Sequence, residues 1–322
     1  MKYSQNAINV LAARTYKGIG RAWFVKNWSP HLSIAAIVEL LNQSQKGAEP
    51  ISVDSFEYKK QIITTLLHQA EWALDGVVAI GDNDFPAYRG DVKNSEQPIF
   101  LFYKGDLSLL STSNHNIAVI GLLNPTPEIA ERACAVVAEL VQRGTTIVSG
   151  LALGCDSVAH RTALKHQGKT VAILPSPLSS IRPATNRTLA QEIVERGGLL
   201  VSEYLTDAKS KMVLSSRYQE RDRLQAQFCD AIILSASYAK NSLGLDSGSR
   251  LAMGYAADYG IPRGVIYDES GNDPMFELNR QYMNEDSKVV VVKATSLPSD
   301  LDGLLRLKPR TVQPTYLQNS IF

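Results

Sequence analysis

The sequence is poor in cysteine, in net charge and in long apolar runs. Its three cysteines, Cys134, Cys155 and Cys229, lie far apart and outside any C-x-x-C pattern. A disulfide framework or a zinc site is therefore not what organises the chain, and buried free thiols are expected. Thirty-three basic residues face 32 acidic ones, a formal net charge of +1. The surface as a whole does not advertise a polyanion binder, so any such site must be a local basic patch. No apolar run approaches the roughly 18–20 residues that span a bilayer. The first residues, MKYSQNAINVLAARTYKG, hold no apolar core followed by a small-residue cleavage site. No membrane association and a cytoplasmic location are the expectations.

What is present is a change of pattern along 322 residues. Residues 1–75 read as helical. SIAAIVELLNQ (33–43) sets Ile34, Ile37, Leu40 and Leu41 at helical spacing, and Phe56, Ile63, Leu66 and Leu67 form a stripe further on. Residues 76–112 read as a connecting extension with two short strands, the second being PIFLFYKG between Pro98 and Gly105. From Ile117 short apolar strands alternate with helices: IAVIG, TTIVSG, KTVAILP, GLLVSE, DAIILSAS, RGVIYD and KVVVVKA. That alternation means a parallel sheet covered on both faces. The fold class is α/β: a doubly wound, mainly parallel Rossmann-like sheet over 113–295, a small N-terminal helical domain, and a tail from 296 to 322.

Ligands of open α/β sheets sit at the carboxyl ends of the strands, and four strand-end loops stand out. The first, SGLALGCDSVAHR (149–161), is open to three readings. It could be a phosphate cradle on a helix N-terminus, a cysteine–histidine pair, or a tight strand-to-helix turn. Cys155 and His160 are five apart, a poor spacing for a nucleophile and its base. The cradle would use Ser149, Gly150, Ala152 and Gly154. The second, SSRYQERDRLQAQ (215–227), groups Arg217, Arg221 and Arg223 around Tyr218. Guanidinium groups suit phosphates and a ring suits base stacking, although a solvated helix face would look the same. The third, GLDSGSRLAMGYA (244–256), offers Ser247, Gly248 and Ser249 before a helix that carries Arg250. The fourth, SPLSSIRPATNRTLAQEI (176–193), holds Asn186 and Arg187. No loop concentrates a catalytic set. Ser202 with Glu203 is the best acid–base candidate, and no histidine or metal-ligand pattern accompanies it.

These loops, in this order, resemble the DNA-processing protein A family (DprA/Smf). Residues 149–160 match its S-G-x-A-x-G-x-D-x-x-A-H position for position. Asn186, Leu189 and Ile193, then Gly198, Leu200, Ser202 and Glu203, resemble its N-x-x-L-x-x-x-I and G-x-L-x-S-E blocks. Tyr218, Arg221, Asp222 and Arg223 resemble F-x-x-R-N-R, and Ser247 to Arg250 resemble S-G-S-L. GDNDFPAYRG with QPIFLFYKG resembles the family's entry to the Rossmann domain. The chain departs from the family in four places. V-G-S-R is Ile120, Gly121, Leu122 and Leu123 here, so an arginine is lost. An asparagine is Asp222, a threonine aligns with Ala252, and a C-terminal winged helix is not expected.

The resemblance implies a protein that binds single-stranded DNA without covalent chemistry or a cofactor, forms a homodimer and loads a RecA-type recombinase onto incoming DNA. Its site residues would be Ser149, Gly150, Ala152, Gly154, Asn186, Arg187, Arg217, Tyr218, Arg221, Arg223, Ser247, Gly248, Ser249 and Arg250. Transformation and defence-related DNA processing both remain open as pathways. The alternative is a Rossmann-type sensor of a nucleotide-derived ligand, for which the lost arginine and Asp222 leave room.

Overall fold

In the computed structural model, residues 2–45, 49–242, 248–268 and 271–312 are described. Four helices come first: α1 (Gln5–Arg14), α2 (Arg21–Asn27), α3 (Ile34–Ser44) and α4 (Val53–Ala70). Serine side chains cap three of them. Ser4, Ser33 and Ser52 accept from the backbone N–H of Ala7, Ala36 and Ser55 respectively, each worth about 1 kcal/mol. Strands β1 (Gly76–Ala79), β2 (Tyr88–Arg89) and β3 (Phe100–Gly105) follow.

The alternating part comprises β4 (Asn116–Ile120), α5 (Pro127–Gln142), β5 (Thr146–Ser149), α6 (Cys155–Lys165), β6 (Thr170–Leu174), α7 (Arg187–Glu195) and β7 (Leu199–Ser202). It continues with α8 (Lys211–Gln227), β8 (Ala231–Leu234), α9 (Ser249–Tyr259), β9 (Arg263–Ile266), α10 (Glu277–Glu285), β10 (Val290–Val292), α11 (Leu297–Arg306) and β11 (Thr311–Val312). Helix α8 starts six residues before the expected 217, because the Ser210 hydroxyl accepts from Val213 N–H and caps it there. Helix α10 has no counterpart in the sequence reading.

Among the described residues one sheet runs β1-β3-β7-β6-β5-β4-β8-β9-β10. The strands from β7 to β10 are parallel to their neighbours, while β3 is antiparallel to both β1 and β7. The extension 76–112 thus supplies two strands of the main sheet. Alternate residues of β4 feed opposite faces, as strand geometry requires. Ile117 and Val119 join α5, α6 and α11 on one side. Ala118 and Ile120 join α8 and α9 on the other. Leu301 and Leu304 of α11 are fully buried, so residues 297–306 pack onto the sheet rather than trailing as a tail. The N-terminal helices share a third core with β1, α7 and the ends of β6 and β7.

The strand order reverses at β4. Strands β5, β6 and β7 extend to one side and β8, β9 and β10 to the other. A crevice beyond the carboxyl ends at this switch point is where an open α/β sheet binds its ligand.

Candidate nucleic-acid interface

A hollow of about 670 Å³ opens at that switch point. Ile120 and Gly121 from the end of β4 form its floor, with Ala152 and Leu153 of the loop after β5. Tyr218, Arg221, Asp222 and Gln225 of α8 form one wall, and Gly248, Ser249 and Leu251 at the start of α9 another. Leu123 and Leu153 stand exposed at the rim.

The loop after β5 is built around Asp156. Its Oδ2 accepts from Gly150 N–H (3.1 Å) and Ala152 N–H (3.2 Å). Leu151 is buried at a left-handed φ of 59°, a conformation a leucine adopts only under constraint. Asn186 supplies that constraint, donating from Nδ2 to the carbonyls of Leu151 and Ala152 and to the Ser157 hydroxyl. Gly150 is glycine because Arg221 occupies the space beside it: a Cβ there would lie 1.0 Å from Nη1. At Gly154, φ is +71° and a Cβ would meet the Leu122 carbonyl at 2.2 Å. Ser149 is buried and donates to the Val119 carbonyl.

Two of the amides expected in the phosphate cradle, those of Gly150 and Ala152, thus hold the protein's own carboxylate. Across the hollow Asp222 Oδ2 stands close to Gly248, a Cβ on which would meet it at 3.1 Å. Helix N-termini favour a negative charge, and here that charge is internal.

Arg221 lies between the two carboxylates, 3.1 Å from Asp222 and 3.7 Å from Asp156. It is buried, and its Nε and Nη1 are the atoms that face those carboxylates. Burial pushes the Asp222 carboxyl up to about 7, with Arg221 opposing and Asp156 adding to the rise. Burial raises the Asp156 carboxyl too, against Arg221 and its amide partners. Gln225, oriented to satisfy both neighbours, donates to Asp222 Oδ1 (3.1 Å) and accepts from Gly150 N–H (3.0 Å). Tyr218 is half-buried, with the Arg221 guanidinium 5.7 Å from its ring centre.

The remaining expected residues scatter. Arg223 is 1% exposed and lies beneath the hollow. It contacts Glu203, Glu220 and Gln227 and donates to the Glu96 carbonyl, so no phosphate can reach it. Arg21 of α2 joins the same network, 3.0 Å from Glu203 and 2.8 Å from Glu220. Arg217 packs over the Tyr204 ring at 4.1 Å and donates to the Thr206 carbonyl. Arg217 and Arg250 lie outside the lining, and Arg187 lines a different hollow. The Ser249 hydroxyl donates to the Gly121 carbonyl. Ser247 lies outside the described residues. Sequence reasoning missed Gln225 and the apolar rim, whose signal was the pair of leucines at 122 and 123.

The candidate reactive groups are also committed. Burial, and then Asp156, push the Cys155 thiol up to about 12, which removes it as a nucleophile at neutral pH. His160 donates from Nδ1 to Thr170 Oγ1, because that hydroxyl itself donates to the Ile147 carbonyl. Burial and Arg221 lower its pKa to about 3. The Ser202 hydroxyl donates to the Ser176 carbonyl. Burial pushes the Glu203 carboxyl up, but Arg223 and Arg21 outweigh it and hold it below its ordinary value. Among the described residues no cluster of three or more His, Cys, Asp or Glu could hold a metal, and no helix is long and apolar enough to cross a membrane.

A sequence profile of the family described as DNA recombination-mediator protein A matches residues 76–297. The chain belongs to this family. The match takes in β1 to β10 and ends at the first residue of α11. Among curated relatives, the Smf protein of Borreliella burgdorferi is 31% identical over 182 residues, 53% of this chain and 54% of that one. The chain thus spans about half of that relative's length. The X-ray structure of DNA processing protein A from Streptococcus pneumoniae superposes with a TM-score of 0.68 at 22% identity, covering 94% of this chain and 98% of that one. That likeness is one of fold. A DNA processing protein A from Helicobacter pylori, whose single-stranded DNA binding mode has been described structurally, gives a TM-score of 0.56 at 25% identity. It covers 72% of this chain and 97% of that one.

Proposed function

We propose that this chain is a DprA-like single-stranded DNA-binding protein that seats an unpaired base in the switch-point hollow and does no covalent chemistry. The observation that carries the proposal is Arg221, a guanidinium on the wall of that hollow, flanked by two carboxylates and with the Tyr218 ring beside it. Its charge is offset by Asp156 and Asp222. A group that offers acceptors but little charge therefore fits better than a phosphate. A nucleobase is such a group. Tyr218 offers it a stacking face, and Leu123, Leu153 and Leu251 offer apolar edges. The phosphates would run outside the hollow, past the exposed Arg182, Lys209 and Lys211. These cations sit beside Pro183 and Ser215, both of which line it. Membership of the family supports a place in DNA recombination, in uptake or in defence. A RecA-type recombinase partner and a homodimer belong to the same proposal.

A second reading is a sensor of a nucleotide-derived ligand. A volume near 670 Å³ lies within the roughly 300–1,000 Å³ of small-molecule sites. Fluorescence anisotropy with oligothymidylate across a salt series, beside a thermal-shift screen of free nucleotides, separates the two. Oligonucleotide binding that weakens with salt and with Tyr218→Ala supports the first. A nucleotide-induced shift with no oligonucleotide binding overturns it in favour of the second.

A further inference from the structure

A second hollow, of about 610 Å³, lies between the end of the N-terminal helices and α7. Its floor is apolar: Leu178, Ile181, Ala190 and Leu200 are all buried. Two features on its walls are unusual. Trp72, in the turn after α4, is 68% exposed, whereas Trp28 is buried and Trp23 half-buried. A large apolar ring left in solvent at a cavity mouth marks a contact surface. Arg187, also in the lining, is exposed, and its side chain makes no ion pair or hydrogen bond to another described residue. Lys104 adds a second cation and donates to the Trp72 carbonyl (2.9 Å). Glu195 is the one acidic group in the lining, so the wall keeps a positive excess.

The two hollows share a partition. Pro183 faces the first; Ile181 and Arg187 face the second. Asn186 braces the loop under the first while its neighbour Arg187 lines the second. Arg182, exposed between them, completes a cationic crossing. We propose that the second hollow is a further seat for the same DNA strand, with an unpaired base stacked on Trp72 and flanking phosphates facing Arg187 and Lys104. An exposed aromatic beside cations is what sequence-tolerant single-strand binding uses. A polyanion is the occupant that this wall's charge fits. The inference rests on the strand already occupying the first hollow.

The test compares short (about 4-nucleotide) and long (about 16-nucleotide) oligothymidylates, the range of site sizes found for single-strand binders. Long oligonucleotide should quench tryptophan emission in the wild type and not in Trp72→Phe. Trp72→Ala should weaken the long probe about five- to hundredfold, the worth of one base–aromatic stack, and leave the short probe unchanged. Arg187→Ala should flatten the salt slope for the long probe by about 0.7. Equal affinity of Trp72→Ala and wild type for the long probe, without quenching, overturns the proposal and leaves the first hollow standing. Loss of self-association in Trp72→Ala with affinity intact overturns it by giving this face to a second copy of the chain. Binding of neither probe by the wild type removes the DNA-binding reading, and this one with it.

Discussion

Arg221 and Arg223 stand two positions apart on α8, and they belong to different machines. Residues at that spacing point to opposite sides of a helix. Arg221 lines the switch-point hollow between two carboxylates. Arg223 points beneath it, into a network with Glu203, Glu220, Gln227 and Arg21. That network ties α2 to the end of β7, which fixes the N-terminal helices to the sheet. One arginine borders the hollow, and the other does not. The comparison teaches that an arginine's place relative to the hollow, not its presence in a basic cluster, decides whether it can meet a ligand.

The largest effect that could break the comparison is on stability. Arg223→Ala leaves Glu203 buried with one cation fewer, and the cost should be about 3–5 kcal/mol, as for a buried pair broken on one side. Urea denaturation measures it. A loss below about 1 kcal/mol, within the ordinary range for a surface pair, would place Arg223 among the site residues after all. Tyr218→Ala should do the reverse, costing about 1–3 kcal/mol of oligonucleotide binding. Its stability should stay within about 0.5 kcal/mol of wild type, since the ring is only half-buried. A variant that binds as well as wild type would remove Tyr218 from the interface.

The third test uses pH. The Asp222 carboxyl titrates near 7 in the folded protein and near 4 when unfolded. Between these values the folded state binds more protons at this group than the unfolded state, so the contribution of Asp222 to stability is fullest below pH 4 and declines as pH rises to 7. Asp222→Asn should remove that decline, flattening the curve by at least about 1 kcal/mol, the worth of one pKa unit. Parallel curves for the two proteins would mean that Asp222 titrates normally. The smallest effect sharpens the network. Arg21 is partly exposed, and Glu203 keeps Arg223 when Arg21 is removed. Arg21→Ala should therefore cost no more than about 1 kcal/mol, by the same denaturation assay.

The strands were legible because each is a short apolar run closed by glycine or a polar loop, and IAVIG and TTIVSG differ little from β4 and β5. The switch point was legible through the loops that follow those strands. Three things were not. Helix α10, ELNRQYMNE, buries little beyond Leu278 and Asn279, so no apolar stripe marks it. Asn279 instead donates from Nδ2 to the carbonyls of Leu234, Ser235 and Ile266, a role that leaves no periodicity. Asp156 carries the charge of an ordinary helix-capping residue in sequence, and only the folded loop shows it closing over Gly150 and Ala152. Trp72 and Arg187 stand far apart in the chain, and nothing local brings them to one cavity.

Strand β3 pairs on one edge with β1 and on the other with β7, whose residues are made nearly a hundred positions later. Strand β2 waits longer still, for β11 at 311–312. During synthesis one edge of β3 therefore emerges well before its partner β7. The nascent chain must carry that unpaired edge for nearly a hundred residues, and β2 stays without its ladder partner until β11 is laid down.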